Sequence, residues 1–215
     1  TLFRSVGEPF KVFYDYKKEG IWQLGEEAAA AANGQEPGDI KVQDVDGNGV
    51  ITTDDRIIYS QRPDVTFGFN NTFNYKGFDL SVFLYARLGQ WIAYDYNTTY
   101  RINALENGGN VDYWTPENPT NAFPRPNKSK SYTQVTYYST LKYEDGSFFK
   151  IRDITLGYTF KPELLKHLNL SRLRVYATAK NFFTFSKIDN YDPEQGGSIS
   201  FPMTKQLVFG LNVEF

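Results

Sequence analysis

Apolar and polar residues alternate along several segments of the chain, which is the pattern of β-strands with two different faces. The alternation is clearest in the final segment, where only Val208 breaks the polar phase. The apolar phase of that segment consists of Leu207, Phe209, Leu211, Val213 and Phe215. A strand of about 10 residues with this pattern is long enough to cross a membrane.

Five further segments alternate in the same way, so the sequence predicts six long strands. These five segments are Phe10–Tyr16, Thr66–Tyr75, Phe78–Leu88, Phe149–Phe160 and Leu173–Phe185. Lys76-Gly77 predicts a two-residue hairpin turn between the second and third strands. The apolar phase changes near Arg152 and Asp153, which predicts either a bulge or a strand that leaves its buried layer there.

Helices contribute little to the predicted structure. An alanine-rich stretch from Glu26 to Ala32 predicts one short helix, and Asn33-Gly34 supplies its C-terminal cap. The segment from Pro162 to Leu168 predicts one further helical turn.

The connections between the predicted strands alternate between long and short. The long connections cover residues 24–62, 91–147 and 186–205, and the short ones cover 76–77 and 161–172. Transmembrane β-barrels sort their loops in this way, whereas a soluble sandwich has no reason to do so. The predicted fold class is therefore all-β, an antiparallel transmembrane β-barrel segment of about six strands. A carboxy terminus on the inner side of the membrane would place all three long loops outside.

Composition narrows the possible functions. Of 215 residues, 40% are hydrophobic and 17% aromatic, and the net charge of −2 gives no reason to expect nucleic-acid binding. Cysteine is absent and His167 is the only histidine, which excludes disulfides, cysteine zinc sites and two-histidine metal sites. The chain begins at Thr1 without an initiator methionine or a signal segment, so we expect either processing or a piece of a longer polypeptide.

One motif predicts metal chemistry. Residues 44–55 match the twelve-residue calcium loop of an EF-hand, in which six oxygen ligands surround the ion. The expected ligands are Asp44, Asp46, Asn48, the carbonyl of Val50, Thr52 and Asp55. The closing residue is Asp rather than the usual Glu, which shortens its reach. The alternative is a solvated turn that binds no ion. We expect bound Ca²⁺ to be structural, because long flanking helices are missing.

Other candidate residues allow two interpretations each. Trp91, Tyr94, Tyr113 and Trp114 could stack on sugar rings of a substrate, or they could belong to an aromatic belt and to loop packing. Asp189, Asp192 and Glu194 contain a possible carboxylate pair for glycoside hydrolysis, but a solvated acidic loop is the better interpretation. His167 is expected to be structural. The sequence therefore predicts that the chain is not an enzyme.

Several motifs, taken in order, resemble the carboxy-terminal part of SusC/RagA-type TonB-dependent outer-membrane transporters. The resemblance covers nearly the whole chain, from about Val12 to Phe215. The motifs are GDIKVQDVDGNGVITTDDR, TFGFNNTFNYKGFDLSVFLYARLGQ, DGSFFKIRDITLGYTF, LRVYATAKNFFTFS, DNYDPE and FGLNVEF.

The resemblance implies a barrel of about 22 strands around an amino-terminal plug. It implies a bacterial outer membrane location, contact with lipid, import of oligosaccharides or peptides, a SusD-like surface lipoprotein as partner and TonB acting through the plug. Residues 1–215 would then be the carboxy-terminal portion of the barrel, without the plug and earlier strands. Residues 44–55 would lie in the first long extracellular loop, and Phe215 would be part of the signal for barrel assembly.

A second hypothesis comes from a different functional class. A soluble calcium-dependent carbohydrate-binding module, built as a β-sandwich, would share the calcium loop and the aromatic residues. Its strands should bury a common core, whereas a barrel segment should leave its apolar face uncovered.

Overall fold

The computed structural model describes Gly7, Pro9, Ile102 and residues 12–100 and 110–215. The chain divides into two compact units. The loop unit comprises the described residues within Thr1–Arg62, Trp91–Asp145 and Gly196–Ile199. The sheet unit comprises Pro63–Gln90, Gly146–Gln195 and Ser200–Phe215.

Eleven strands and two short α-helices are found in the described residues. The strands are β1 Val12–Tyr16, β2 Lys18–Ile21, β3 Ile40–Val42, β4 Arg56–Ser60, β5 Val65–Tyr75, β6 Phe78–Leu88, β7 Trp91–Ala93, β8 Tyr143–Asp145, β9 Phe148–Thr159, β10 Arg172–Ser186 and β11 Gln206–Glu214. The helices are α1 Glu27–Ala32 and α2 Pro162–Leu165. Turns of 3-10 helix cover Thr53–Asp55, Asp95–Thr99, Tyr132–Gln134, Tyr138–Lys142, Lys166–Leu168 and Pro193–Gln195.

The sheet unit is built on one five-stranded antiparallel sheet in the order β11-β10-β9-β6-β5. Side chains of one face are apolar and mostly exposed or half-buried, and the register pairs them with one another, as for Leu156 with Ala177 and Ala177 with Phe209. The opposite face, here called the polar face, carries residues such as Asp79, Thr155 and Thr178. The exposure of the apolar face differs from the buried inner faces of a β-sandwich.

The hairpin between β5 and β6 is confirmed. Tyr75 pairs with Phe78, and the two residues between them have positive φ angles, 47° at Lys76 and 90° at Gly77. Two successive positive φ angles define a type I′ turn, whose twist matches that of the flanking strands.

The predicted bulge in β9 is confirmed as well. Asp153 pairs with Phe83 and Ile151 pairs with Leu84, so Arg152 has no opposite residue on β6. On the other side of β9, the register with β10 shifts at the same point. The bulge returns the apolar side chains to one face after the change of phase.

The loop unit contains three two-stranded sheets, β1 with β4, β2 with β3, and β7 with β8. The sequence predicts that Phe10–Tyr16 is one of the long strands of the barrel wall. This prediction is wrong for Val12–Tyr16, the described part of that segment, because it pairs with Arg56–Ser60 and not with a strand of the main sheet. Phe10, its predicted start, lies outside the described residues. Strands β2, β3, β4, β7 and β8 were not predicted, because they are too short to show clear alternation.

A small hydrophobic core holds the loop unit together. Ile21 of β2 packs with Ile40 and Val42 of β3, and Trp114 and Leu141 complete the buried cluster. Both predicted helical segments are confirmed: Asn33 caps α1, and α2 continues into the turn Lys166–Leu168. No helix of the described residues is long and apolar enough to cross a membrane.

Candidate functional site

The acidic loop of residues 44–55 connects β3 to β4 and brings three carboxylates together. Oxygen atoms of Asp44, Asp46 and Asp55 all lie within 4.8 Å of one another. Their sequence spacing would separate them in an extended chain, so the loop must wrap around a common point. This is the arrangement that the motif predicts.

Backbone N–H groups fix the first and last carboxylates of the loop. Asp44 accepts from the N–H of Gly47 at 2.8 Å and of Gly49 at 2.7 Å. Asp55 accepts from the N–H of Val45 at 2.8 Å and of Thr52 at 2.7 Å. These bonds close the loop from both ends.

Two glycines permit the tight wrapping of the loop. Gly47 and Gly49 have φ angles of 74° and 84°, in the left-handed region that other residues rarely adopt. No atom lies within 4 Å of a Cβ built on either glycine, so backbone conformation alone accounts for the requirement.

The electrostatics of this loop favour a cation. Hydrogen bonds from the backbone N–H of Thr52, and next from that of Val45, lower the pKa of the buried Asp55 carboxyl below its ordinary value. Asp55 is therefore ionised at neutral pH, close to two further acidic groups. Among the described residues, no lysine or arginine forms an ion pair with any of the three. Calcium prefers such hard oxygen ligands.

The other three predicted ligands are Asn48, the Val50 carbonyl and Thr52, and the side chains of Asn48 and Thr52 form hydrogen bonds within the loop. Asn48 Oδ1 accepts from the N–H of Val50 at 2.8 Å, and Asn48 Nδ2 donates to Asp46 at 2.8 Å. Thr52 Oγ1 accepts from the N–H of Asp54 at 3.2 Å. Each of these oxygens retains a lone pair for a metal. Calcium binding by these residues stays a prediction.

The four aromatic candidates do not form one common platform. Trp114 is only 4% exposed and donates its indole N–H to Gln23 Oε1 at 2.9 Å, inside the core of the loop unit. Tyr94 is also buried, and the rings of Trp91 and Tyr59 pack in an edge-to-face arrangement with their centroids 4.9 Å apart. Tyr113, at 43% exposure, presents much of its side chain to solvent. The burial of Tyr94 and Trp114 agrees with the alternative interpretation of loop packing, and substrate stacking by the four aromatic residues stays a prediction.

The acidic motif of residues 189–194 has a role that the sequence did not reveal. Asp192 and Glu194 form ion pairs with Lys150 of β9, at 2.6 and 2.8 Å, and Lys150 is 0% exposed. These carboxylates are bound to a buried cation rather than to solvent. A lysine within the apolar stretch FFKIR was the available signal, but only the fold brings it to the acidic segment.

Phe215, the predicted assembly signal, follows β11 directly and is 94% exposed. Its carbonyl accepts a hydrogen bond from Ser171 Oγ at 3.3 Å. The part it plays in assembly stays a prediction. His167 lies in the 3-10 turn Lys166–Leu168.

Curated relatives of the chain are TonB-dependent receptors. "TonB-dependent receptor P3" of Formosa agariphila is 31% identical over 241 residues, covering 100% of this chain and 23% of the relative. "TonB-dependent receptor SusC" of Bacteroides thetaiotaomicron is 31% identical over 181 residues, covering 80% of this chain and 17% of the relative. The chain thus spans about a quarter of the length of the first of these relatives. No family model matches the chain.

Solved structures agree with this relationship at the level of the fold. The structure of the RagAB peptide transporter aligns with a TM-score of 0.69 and 24% identity, covering 95% of this chain and 23% of that chain. The expected fold class, a segment of an antiparallel β-barrel wall, is confirmed by this likeness. The relatives are receptors and transporters, in agreement with the expectation that the chain is not an enzyme. The resemblance seen in the sequence motifs is therefore confirmed: the chain is related to the TonB-dependent receptors of the SusC/RagA type.

Proposed function

We propose that the chain is part of a TonB-dependent importer of nutrients in a bacterial outer membrane. The observation that carries the proposal is the five-stranded antiparallel sheet, whose apolar face is exposed while its other face is polar. An exposed apolar face suits lipid, and a polar face suits the interior of a barrel. The similarity to receptors over the whole chain gives independent support.

Strand lengths support the same function. β5 and β6 have 11 residues each, β9 has 12, β10 has 15 and β11 has 9. A transmembrane strand needs about 9–11 residues when it is tilted. The remaining strands and the plug would be supplied by the rest of a larger barrel.

The proposed substrates are oligosaccharides or peptides, delivered with a SusD-like surface lipoprotein, and TonB would supply the energy through the plug. The peptide alternative draws support from the likeness to the RagAB peptide transporter. The oligosaccharide alternative rests on the resemblance of the sequence motifs alone. The two long connections that form most of the loop unit would lie outside the cell. Of the four aromatic candidates, Tyr113 is the one best exposed for contact with a substrate.

Fractionation and uptake together test this proposal. The full-length protein should be found in the outer-membrane fraction and should show heat-modifiable gel mobility, as folded barrels do. A deletion strain should lose growth on the glycans or peptides that the protein imports, and complementation should restore it. Recovery in the soluble fraction as a folded monomer would instead favour the carbohydrate-binding sandwich.

We also propose that residues 44–55 bind one structural Ca²⁺ in the first long extracellular loop. The convergence of Asp44, Asp46 and Asp55 supports this site. Asp44→Asn should weaken calcium binding by about tenfold or more, because one of three charged ligands is lost. Asp54→Asn is the matched control, since Asp54 belongs to the same loop but not to the carboxylate cluster. Equal calcium affinity of the wild-type protein and Asp44→Asn, measured by calorimetry, would contradict the site.

A further inference from the structure

A lysine ammonium is buried under the segment that follows β10. The Lys150 side chain is 0% exposed, and its Nζ lies 2.6 Å from Asp192 Oδ2 and 2.8 Å from Glu194 Oε2. Both acids belong to residues 187–195, here called the docked segment, whereas Lys150 belongs to β9. The ion pairs therefore join a strand to a connection that is distant in sequence.

Further contacts order the two carboxylates. Thr184 Oγ1 donates to Asp192 Oδ2 at 3.3 Å, and the N–H of Glu194 donates to Asp192 Oδ1 at 3.0 Å. Arg152 Nη1 lies 3.2 Å from Glu194 Oε1. The cluster thus contains two cations and two anions. Buried charges are tolerated when they are paired and hydrogen-bonded in this way.

The position of Lys150 shows which side of the sheet the docked segment covers. Lys150 pairs in register with Tyr85 of β6 and with Thr184 of β10. Residues paired in register share a face, and these three lie on the polar face. The docked segment therefore folds back over the polar face instead of extending away from the end of β10.

Folding back creates a cleft of about 450 Å³ between β10 and the docked segment. Asn181 and Phe182 of β10 form one side of it, and Ile188 and Asp192 of the docked segment form another. Asn181 has a φ angle of 59°, in the left-handed region, at the point where the register with β9 shifts. Four of the residues that line the cleft, Ile188, Asp189, Tyr191 and Asp192, belong to the docked segment, so release of the segment would open the cleft on that side.

We propose that Lys150 is a positioning residue, an ion-pair latch that keeps residues 187–195 on the polar face and so maintains the cleft. Removal of the lysine would leave the mostly buried Asp192 without a counter-charge and Glu194 with only the partly exposed Arg152, and movement of the segment into water would relieve this cost. The segment accordingly has a docked and a released state, and the latch determines the balance between them. This inference concerns the conformation of the segment and does not depend on transport activity.

Hydrogen exchange of the full-length protein in mild detergent tests the latch, with peptides covering residues 187–195 read by mass spectrometry. Lys150→Met keeps the length of the side chain and removes its charge. Loss of one partner of a buried pair is expected to favour release by roughly 100-fold. Exchange of the segment should rise accordingly. Lys180→Met is the matched control, because Lys180 forms a longer and partly exposed ion pair of 3.7 Å with Asp153 on the same face.

A compensating variant separates a latch from general damage to the strand. Lys150→Met combined with Asp192→Asn removes one cation and one anion and keeps the Arg152–Glu194 ion pair, so it should return exchange at least tenfold towards the wild-type rate. Asp192 lies outside the strands, so the single variant Asp192→Asn tests the latch even if Lys150→Met does not fold. This variant should also raise the exchange rate of the docked segment. Unchanged exchange in Lys150→Met and Asp192→Asn, or an equal rise in Lys180→Met, would overturn the proposal.

Discussion

The Arg174 guanidinium forms two hydrogen bonds with the Asp79 carboxylate across the whole width of strand β9. Nε lies 2.8 Å from Oδ1 and Nη2 lies 2.5 Å from Oδ2. Gly157 of β9 lies beneath this pair, directly opposite Asp79 in register. A Cβ on Gly157 would lie 2.6 Å from Asp79 Oδ1 and closer still to Arg174 Nη2. The absence of a side chain at this position lets an ion pair connect β6 to β10.

Gly157→Ala should therefore destabilise the sheet. The added methyl group would force the two side chains apart, and loss of hydrogen bonds between charged groups costs about 1–3 kcal/mol. Urea unfolding in detergent, followed by heat-modifiable gel mobility, would measure the change. Gly68→Ala is the control, because a Cβ there would meet only the Phe83 ring at 3.7 Å. In an Arg174→Met background, Gly157→Ala should cost less, and an equal cost in both backgrounds would contradict this explanation.

The turn between β5 and β6 should respond differently to substitution at its two positions. At Gly77, a Cβ would lie 2.8 Å from the Thr159 carbonyl oxygen, and the φ angle of 90° is unfavourable for other residues. Gly77→Ala is thus expected to destabilise the protein by about 1–3 kcal/mol. Lys76→Asn should be neutral or slightly stabilising, because Asn tolerates the left-handed region better than Lys. Equal unfolding midpoints of the two variants would rule out the assigned turn.

Substitutions at the neighbouring residues Trp114 and Tyr113 should separate a structural role from a ligand contact. Trp114→Ala removes a core side chain and is expected to destabilise the loop unit by about 3–5 kcal/mol. Limited proteolysis of the full-length protein should then cut that unit faster. Tyr113→Ala, at an exposed site, should change stability by less than about 0.5 kcal/mol. If Tyr113 contacts substrate, its variant should lose affinity while protease resistance is unchanged.

The acidic loop should depend on pH only under strongly acidic conditions. The pKa of Asp55 is lowered from an ordinary value of 3.8 by the N–H groups of Thr52 and Val45. A carboxylate whose pKa is lower in the folded state stabilises that state above its unfolded pKa, and the contribution is lost as pH falls through the folded pKa. Without calcium, loop order should thus stay constant from about pH 7 to pH 5 and be lost below about pH 4.

Backbone exchange of residues 44–55 as a function of pH, corrected for intrinsic exchange, would measure this dependence. Asp55→Asn should abolish the acid transition attributed to this carboxylate, whereas Asp54→Asn should retain it. A transition above pH 5 in the wild-type protein would contradict the lowered pKa of Asp55.

The periodicity of apolar and polar residues was sufficient to predict the five strands of the main sheet. The alternation in β5, β6, β9, β10 and β11 follows from one face of the sheet being apolar and the other polar, and this contrast leaves a period of two. The turn at Lys76-Gly77 and the bulge at Arg152 were also predictable, because local conformation produces both. The calcium-loop motif likewise predicted that the carboxylates of Asp44, Asp46 and Asp55 lie close together.

Tertiary structure decided the features that depend on distant pairing. β1 pairs with β4 because the intervening chain folds back, and no local pattern in Val12–Tyr16 distinguishes that partner from a strand of the main sheet. Trp114 is a core residue because β2 and β3 supply apolar partners. Lys150 and Asp192 are far apart in sequence and meet only through the fold. The sequence by itself determined the strands with their two faces, since these depend on near neighbours, whereas partners and burial are set by contacts between distant segments.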